Sequence, residues 1–283
     1  MNTPPRLFDT DLLALRRARA RAGTPADFLH REVADEIAER LREVNRPFRA
    51  PALVTGWPEV WSDALAGAGL ESLTVVPDSE VLDLAEGAHD AVIHGLALHW
   101  ANDPVGQLVQ ARRALRPDGL FLGALFGGLT LHELRAAFAE AEAEITGGLS
   151  PRVAPMGEIR DLGGLLQRAG FALPVADTLP VTVDYATPLD LMRDLRAMGE
   201  TNVLADRSRT PLGRELLARA CAIYAESYGR ADGRIEATFE MVVLTGWAPG
   251  PGQQQPLRPG SATARLADVF GVPERSAGEK PGG

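Results

Sequence analysis

The sequence predicts an α/β protein: a doubly wound, mostly parallel sheet with an antiparallel last strand and a helical lid. Two observations carry this. Short apolar runs alternate with capped, amphipathic helical segments along most of the 283 residues, the pattern of βα units laid on a parallel sheet. The last run, RIEATFEMVVLTGW, sets Ile235, Ala237, Phe239, Met241 and Val243 against Glu236, Thr238 and Glu240 before turning apolar on both faces. Such a run reads as one antiparallel strand passing from an edge into a covered sheet.

Each element has a local cause. Thr24 before Pro25, with Asp27 three residues on, opens a helix with the stripe Leu29, Val33, Ile37, Leu41 and Val44. PALVT, SLTVV and DAVIHGLAL are short apolar strands, and GLFLGALF follows the turn RPDG. Thr130 and Glu133 match a capping box, ahead of a stripe that runs from Leu131 to Ile145. A helix from Met156 to Ala169 is stopped by Gly170. LPVTVDY is the next strand. Thr187, Pro188 and Asp190 start a helix ending near Gly199, and Thr210 with Pro211 starts the last one. Residues 1–45 read as an N-terminal helical segment. Residues 46–247 read as the main domain, with a helical insertion from about 147 to 230, and 248–283 as a disordered Pro/Gly-rich tail.

Composition excludes several classes. A net charge of −9 argues against a phosphate-neutralising surface, hence against nucleic acid. One cysteine, Cys221, rules out a disulfide framework or multi-cysteine metal site and reads as a small buried hydrophobe. No apolar run approaches the ~20 residues of a membrane span. The N-terminal arginines suggest a transit peptide, but Asp9 and Asp11 speak against it, and a solvated basic helix face is the reading kept. The expected location is cytoplasmic, or peripheral at the inner membrane through a partner.

Ligands of open parallel sheets sit outside the carboxyl ends of the central strands. Four stretches reach that edge. In LVTGWPEV, Gly56 allows close backbone approach, while Pro58 lacks an N–H and Val60 is branched where contact should be tightest. In VVPDSE, Asp78 either accepts from a ribose hydroxyl or adenine amino group, or simply forms a turn. In IHGLALHWANDP, Gly95 is followed by His99 and Trp100, and Asp103 caps the next helix. His99 is a proton carrier or one of a packed pair with Trp100, and His94 is a core residue. In ALFGGLTLHELR, Gly127 and Gly128 make a flexible or close-approach turn. Arg135 clamps a carboxylate or faces water, and His132 is exposed. Glu200, after Gly199, lines the pocket mouth or merely follows a helix end. No histidine, cysteine or carboxylate cluster has metal spacing.

Taken together, LFDTDLLALRRARA, LALHWANDPVGQLVQARRALRPDGLFLGALFGGLTLHELR, SPRVAPMGEIRDLGGLLQRAGF, LMRDLRAMGETN and GSATARL resemble the class I S-adenosylmethionine-dependent methyltransferases of type 11. The likeness is to the mitochondrial and alphaproteobacterial complex I assembly branch. It implies a Rossmann-like sheet in the order 3-2-1-4-5-7-6, S-adenosylmethionine as cofactor, and a protein partner: a respiratory-chain subunit or another assembly factor. Gly56, Asp78, Gly95, His99 and Trp100 are the implied cofactor-binding set, with His99 and Arg135 as catalytic candidates.

The chain departs from the family loop D-x-G-C-G-x-G: Val54, Pro58 and Val60 replace its acid and two of its glycines. About 17 residues separate PALVT from the strand before Asp78, which resembles the family's third. One crossover helix fits that gap. The sheet should therefore be one strand short and lack the ribose-holding acid. Cofactor binding is then weakened or lost, and the chain is expected to bind, or act on, a protein partner in respiratory complex I assembly. The alternative is an active S-adenosylmethionine-dependent methyltransferase of a small molecule or carrier protein.

Overall fold

The computed structural model describes residues 6–44, 46–70, 72–253 and 271. Two helices come first, α1 (Thr10–Ala22) and α2 (Phe28–Glu43). Then follow β1 (Pro51–Thr55), α3 (Pro58–Gly67), β2 (Thr74–Val76) and β3 (His89–Gly95). A 3-10 turn at Leu98–Trp100 leads into α4 (Pro104–Ala114), β4 (Leu115–Phe126), α5 (His132–Thr146) and α6 (Ile159–Ala169). The last described elements are β5 (Ala172–Tyr185), α7 (Pro188–Ala197), α8 (Arg214–Tyr228) and β6 (Ile235–Trp247).

The strands make one sheet in the order β2-β1-β3-β4-β6-β5. The first four are mutually parallel, and β6 is antiparallel to both β4 and β5. The doubly wound, mostly parallel sheet of the sequence is there, one strand short. Which strand is short differs from expectation. The strand before Asp78 resembles the family's third, yet β2 pairs directly with β1, from Ala52 opposite Thr74 to Val54 opposite Val76. One helix in a right-handed crossover carries the chain only to the adjacent position. The missing member is the outer edge strand, and residues 77–88 cross back to β3 without a helix.

Helices cover both faces. On one, α2, α3, α5 and α8 pack Ile37, Trp61, Ala141 and Tyr224 against Leu53, Ile93 and Leu122. On the other, α4 and α6 set Leu108, Ala111, Leu162 and Leu166 against Val54, Phe121 and Leu244. The expectation for β6 holds along its length. Its first half, up to Glu240, pairs with β5 alone and alternates in burial, and from Met241 on it lies between β4 and β5. The sequence did not show that β5 forms the outer edge beside it, paired from Ala172 to Tyr185. The RPDG stretch is a bulge within β4 rather than a reversal: the register slips between His89 and Ala91, and Asp118 takes φ 62°.

Several caps differ from their sequence signals. α2 starts at Phe28, so Asp27 stands where Thr24 was expected, and its carboxylate accepts from Arg31 instead of capping. α8 starts at Arg214, after Gly213 rather than Thr210. The capping box at Thr130 and Glu133 does not form. Leu131 in the left-handed region precedes α5, Thr130 Oγ1 donates to the Glu240 carbonyl, and Glu133 Oε1 accepts from the Thr238 amide and hydroxyl. These two side chains hold β6 instead of their own helix. Thr187 does cap α7, accepting from the Asp190 amide, and Asp103 caps α4 through Gly106. Cys221 is half-buried on α8, and burial pushes its thiol up.

The described residues up to Pro251 form one compact unit. The expected disorder of the tail, and the GSATARL motif, lie outside the described residues. Among the described residues no helix is long and apolar enough to cross a membrane.

Two substitutions separate the interactions that hold helix ends. Thr187→Ala should cost about 1 kcal/mol, an ordinary lost cap. Glu133→Ala should cost about 1–3 kcal/mol, because it strands the buried donors of Thr238. Urea denaturation midpoints at unchanged slope measure both.

Candidate functional site

β1 and β3 end side by side at the carboxyl edge, and Thr55 ties their turns together. Its Oγ1 donates to the Gly95 carbonyl at 2.9 Å and accepts from the Trp57 amide at 3.2 Å. This sets Gly56 and Gly95 as facing stretches of bare backbone, where a ligand could lie close. Both are covered by side chains.

Arg17 of α1 covers Gly56. A methyl group on Gly56 would stand 2.5 Å from Arg17 Nη1 and 2.8 Å from its Cζ. The same Nη1 donates to both carboxylate oxygens of Asp78, at 2.9 and 2.7 Å. The two side chains are 6% and 11% exposed, so this is a buried ion pair. Burial would raise the Asp78 carboxyl, but the Arg17 charge and hydrogen bonds outweigh it and hold the group below its usual range. Arg21, one turn on, donates to the Gly56 carbonyl at 2.5 Å and lies over the Trp57 ring. The solvated basic face expected for this helix is therefore wrong for Arg17, which falls on the inward stripe with Leu13 and Ala20.

Trp61 of α3 covers Gly95. A methyl there would come within 2.7 Å of Trp61 Cε2. The indole is fully buried, and its N–H donates to His30 Nδ1 at 3.1 Å. That nitrogen must then be unprotonated. Burial agrees, pushing the His30 pKa down to about 4, so the ring is neutral near pH 7.

A second cluster lies towards α7. Glu200 Oε2 accepts from Trp100 Nε1 at 2.7 Å and from His99 Nε2 at 3.2 Å. Burial would raise this carboxyl, and the nearby His99, Arg17 and His30 bring it below its usual value. Glu200 is thus the buried partner of the His99–Trp100 pair and, as the sequence suggested, also lines a cavity. Gly199, at φ 76°, lets the chain pass Arg17, whose Cγ lies 3.0 Å from where a methyl would be. Arg17 is seated between the binding turn and the lid segment.

Two cavities flank it. One of about 600 Å³ lies beside Leu13, Ala14, Arg17, Asp78 and Asn102. The other, of about 350 Å³, is walled by Phe126, Leu134, Phe138 and Phe239, with Glu200 and Thr201 among its lining residues. Glu200 Oε1 and Thr201 Oγ1 have no hydrogen-bond partner in the protein.

The structure thus brings Gly56 and Asp78 together through Arg17, sets Gly95 under Trp61, and joins His99 to Trp100 through Glu200. His94 is a core residue, bonded to Gln107 at 2.8 Å, and burial lowers its pKa. Arg135 stands apart: it neither clamps a carboxylate nor faces water, but donates to the carbonyls of Thr130 and Ala154. His132 is half-buried against Tyr228 rather than exposed. Among the described residues no three His, Cys, Asp or Glu are grouped as a metal site would require. Sequence reasoning missed Arg17 and the His30–Trp61 pair. The available signal was a charge on an otherwise apolar helical stripe.

Residues 55–123 match the family described as Methyltransferase domain. Over 265 residues the chain is 36% identical to "Arginine-hydroxylase NDUFAF5, mitochondrial" of Danio rerio, covering 86% of this chain and 82% of that protein. The Homo sapiens protein of the same name is 35% identical over 296 residues, covering 95% and 85%. The chain belongs to the methyltransferase-domain family, on the branch that holds these arginine-hydroxylases. A more distant member, malonyl-acyl-carrier-protein O-methyltransferase of Halorhodospira halophila, is 34% identical over 272 residues, covering 87% and 89%. A solved structure from Bacillus halodurans, provisionally described as a methyltransferase, shares the fold with a TM-score of 0.50 at 14% identity, covering 75% and 98%. An adenosyl ligand in this methyltransferase-domain fold needs bare backbone at the first turn. With α1 docked, Arg17 and Trp61 fill the space against Gly56 and Gly95, so that ligand does not fit against these two glycines, while the cavity of about 600 Å³ stays open beside Asp78.

Two measurements follow from the packing and the charges. Gly95→Ala should destabilise the fold by about 1–3 kcal/mol through overpacking against Trp61, read from urea denaturation. Asp78 is depressed in the folded protein, so its stabilisation is present above the ordinary value of 3.8 and is lost as pH falls below it. Asp78→Asn should flatten that part of an acid-unfolding curve.

Proposed function

We propose that this chain is a methyltransferase-fold protein that binds, or acts on, a protein partner in the assembly of respiratory complex I, with S-adenosylmethionine binding weakened or lost. The observation that carries the second half is Arg17, ion-paired to Asp78 and lying against Gly56 where a ligand would need bare backbone. Pro58 at the start of α3 adds to it, since that position has no N–H to offer an anion. The first half is supported by the relatives named arginine-hydroxylase, two of which match over most of both chains. It is supported also by the lid-side cavity, which stays open while the backbone of Gly56 and Gly95 is covered. Such a protein would work in the cytoplasm or at the inner membrane through its partner, with no span of its own needed.

An active methyltransferase of a small molecule or carrier protein is the second reading. It is favoured by the Halorhodospira halophila relative and by the cavity of about 600 Å³ beside Asp78. Methyl transfer would draw much of its rate from holding the reacting atoms in line. It would therefore need a cofactor held firmly at this turn.

Calorimetry of the full chain with S-adenosylmethionine should give a Kd no tighter than about 1 mM, ~4 kcal/mol of binding free energy. A low-micromolar constant would favour the second reading. Pull-down from the native cell should recover a respiratory-chain subunit or assembly factor. A deletion strain with normal complex I, and no such capture, would end the first reading.

A further inference from the structure

We propose that α1 is a built-in occupant of the adenosyl cleft, held by Arg17, and that ligand entry requires this helix to swing out. The inference rests on the reading that this edge descends from a cofactor site, and it says why the site binds poorly: an internal competitor sits in it.

Arg17 takes both features the cleft offers a ligand. Its guanidinium occupies the strand-end carboxylate of Asp78, and it lies on the bare backbone of Gly56. Arg21 then takes the Gly56 carbonyl. Apart from Arg17 the helix is held mainly at its start, where Phe8 bonds to Asn102 and forms a β-bridge with Leu204 and Asp9 bonds to Arg207 and Val203, and by Ala20 in the main core. Of its 13 residues only Leu13, Arg17 and Ala20 are buried. Leu13 belongs to a small cluster with Phe8, Trp100, Ala154, Val203 and Leu204, separate from the two clusters that cover the sheet. The seat is also imperfect. Arg17 Nε and Nη2 are buried without a hydrogen-bond partner in the protein. Buried donors left unpaired cost free energy that is recovered when the group returns to water. Leaving is therefore easier for Arg17 than its burial suggests.

Space is already present beside it. The cavity of about 600 Å³ runs along Leu13, Ala14 and Arg17 to Asp78 and Asn102. With the helix displaced, that cavity and the strip over Gly56 become one continuous cleft. Trp61 stays in place throughout, since it is anchored to His30 in the main core. The opened cleft is therefore a shallower version of the family site, not a restored one. Because Arg17 also packs against Gly199, release of α1 would free the segment carrying Glu200. Occupancy of the cleft and the position of the lid are thereby coupled.

The test uses the full-length chain, with S-adenosylhomocysteine as the calorimetric probe and amide hydrogen exchange as a second readout. Arg17→Leu keeps the apolar stem and removes the plug; it should bind the probe at least about tenfold more tightly than the wild type. Arg21→Ala, at an exposed position, should give a smaller gain. In the wild type without ligand, α1 amides should exchange by local opening, about a hundredfold or more faster than those of α2. If R17L is folded and binds no more tightly than a weak-binding wild type, the plug is refuted and the weak-cofactor reading stands. If R17L does not fold, exchange in the wild type decides: α1 protected as strongly as α2 refutes the plug. Low-micromolar binding by the wild type with α1 fully protected refutes both.

Discussion

The buried ion pair between Arg17 and Asp78 is the constraint on which the candidate site depends. Two charges this far from water are costly to bury, and their attraction roughly offsets that cost. Removing one alone is far worse, about 3–5 kcal/mol, because the other stays uncompensated. The pair therefore adds little net stability, yet it dictates arrangement. It brings a helix from the start of the chain onto the end of β2, across the turn after β1, and against Gly199 beyond α7. One guanidinium registers these elements together with the small cluster of Phe8, Leu13, Trp100, Val203 and Leu204.

The glycines at this edge show how one sequence feature can serve two ends. A glycine beside a parallel strand end signals that something must approach the backbone closely. Gly56 and Gly95 meet that description, and the close neighbour in each case is a side chain of the protein, Arg17 or Trp61. The steric requirement is the same whether the visitor is a ligand or a residue. Pro58 and Val60 stand where the resembled family loop carries glycines, and Arg17 and Trp61 occupy the space against Gly56 and Gly95. The His30–Trp61 hydrogen bond then fixes one of the occupants in the core, where the neutral imidazole can accept.

The two sides of the cleft differ in kind. Towards β2 the polar groups are matched in charge, Arg17 with Asp78. Towards α7 the Glu200 carboxylate holds His99 and Trp100 with one oxygen and has its other oxygen without a protein partner, near an aromatic-walled cavity. On one side the charges are paired with each other beside an open cavity, and on the other a carboxylate oxygen is left without a protein partner. Membership of the methyltransferase-domain family explains the scaffold.

Much of the fold was legible because it follows from local rules. Periodicity placed nearly every strand and helix, and Gly170, Thr187 and Asp103 marked helix ends correctly, since caps depend on neighbours three or four residues away. The shortness of the chain between PALVT and Asp78 determined that a strand had to be missing. Which strand was lost depended on sheet pairing, a contact between distant segments that no local pattern encodes. The same holds for Glu133, whose capping signal was overridden by the Thr238 donors of β6. The site divides along this line too. Residue types at Gly56, Asp78, Gly95, His99 and Trp100 could be picked out one by one from their place after strands. Only the folded chain could decide that an arginine from the first helix sits among them, because burying a charge is settled by whichever opposite charge the tertiary structure brings within reach.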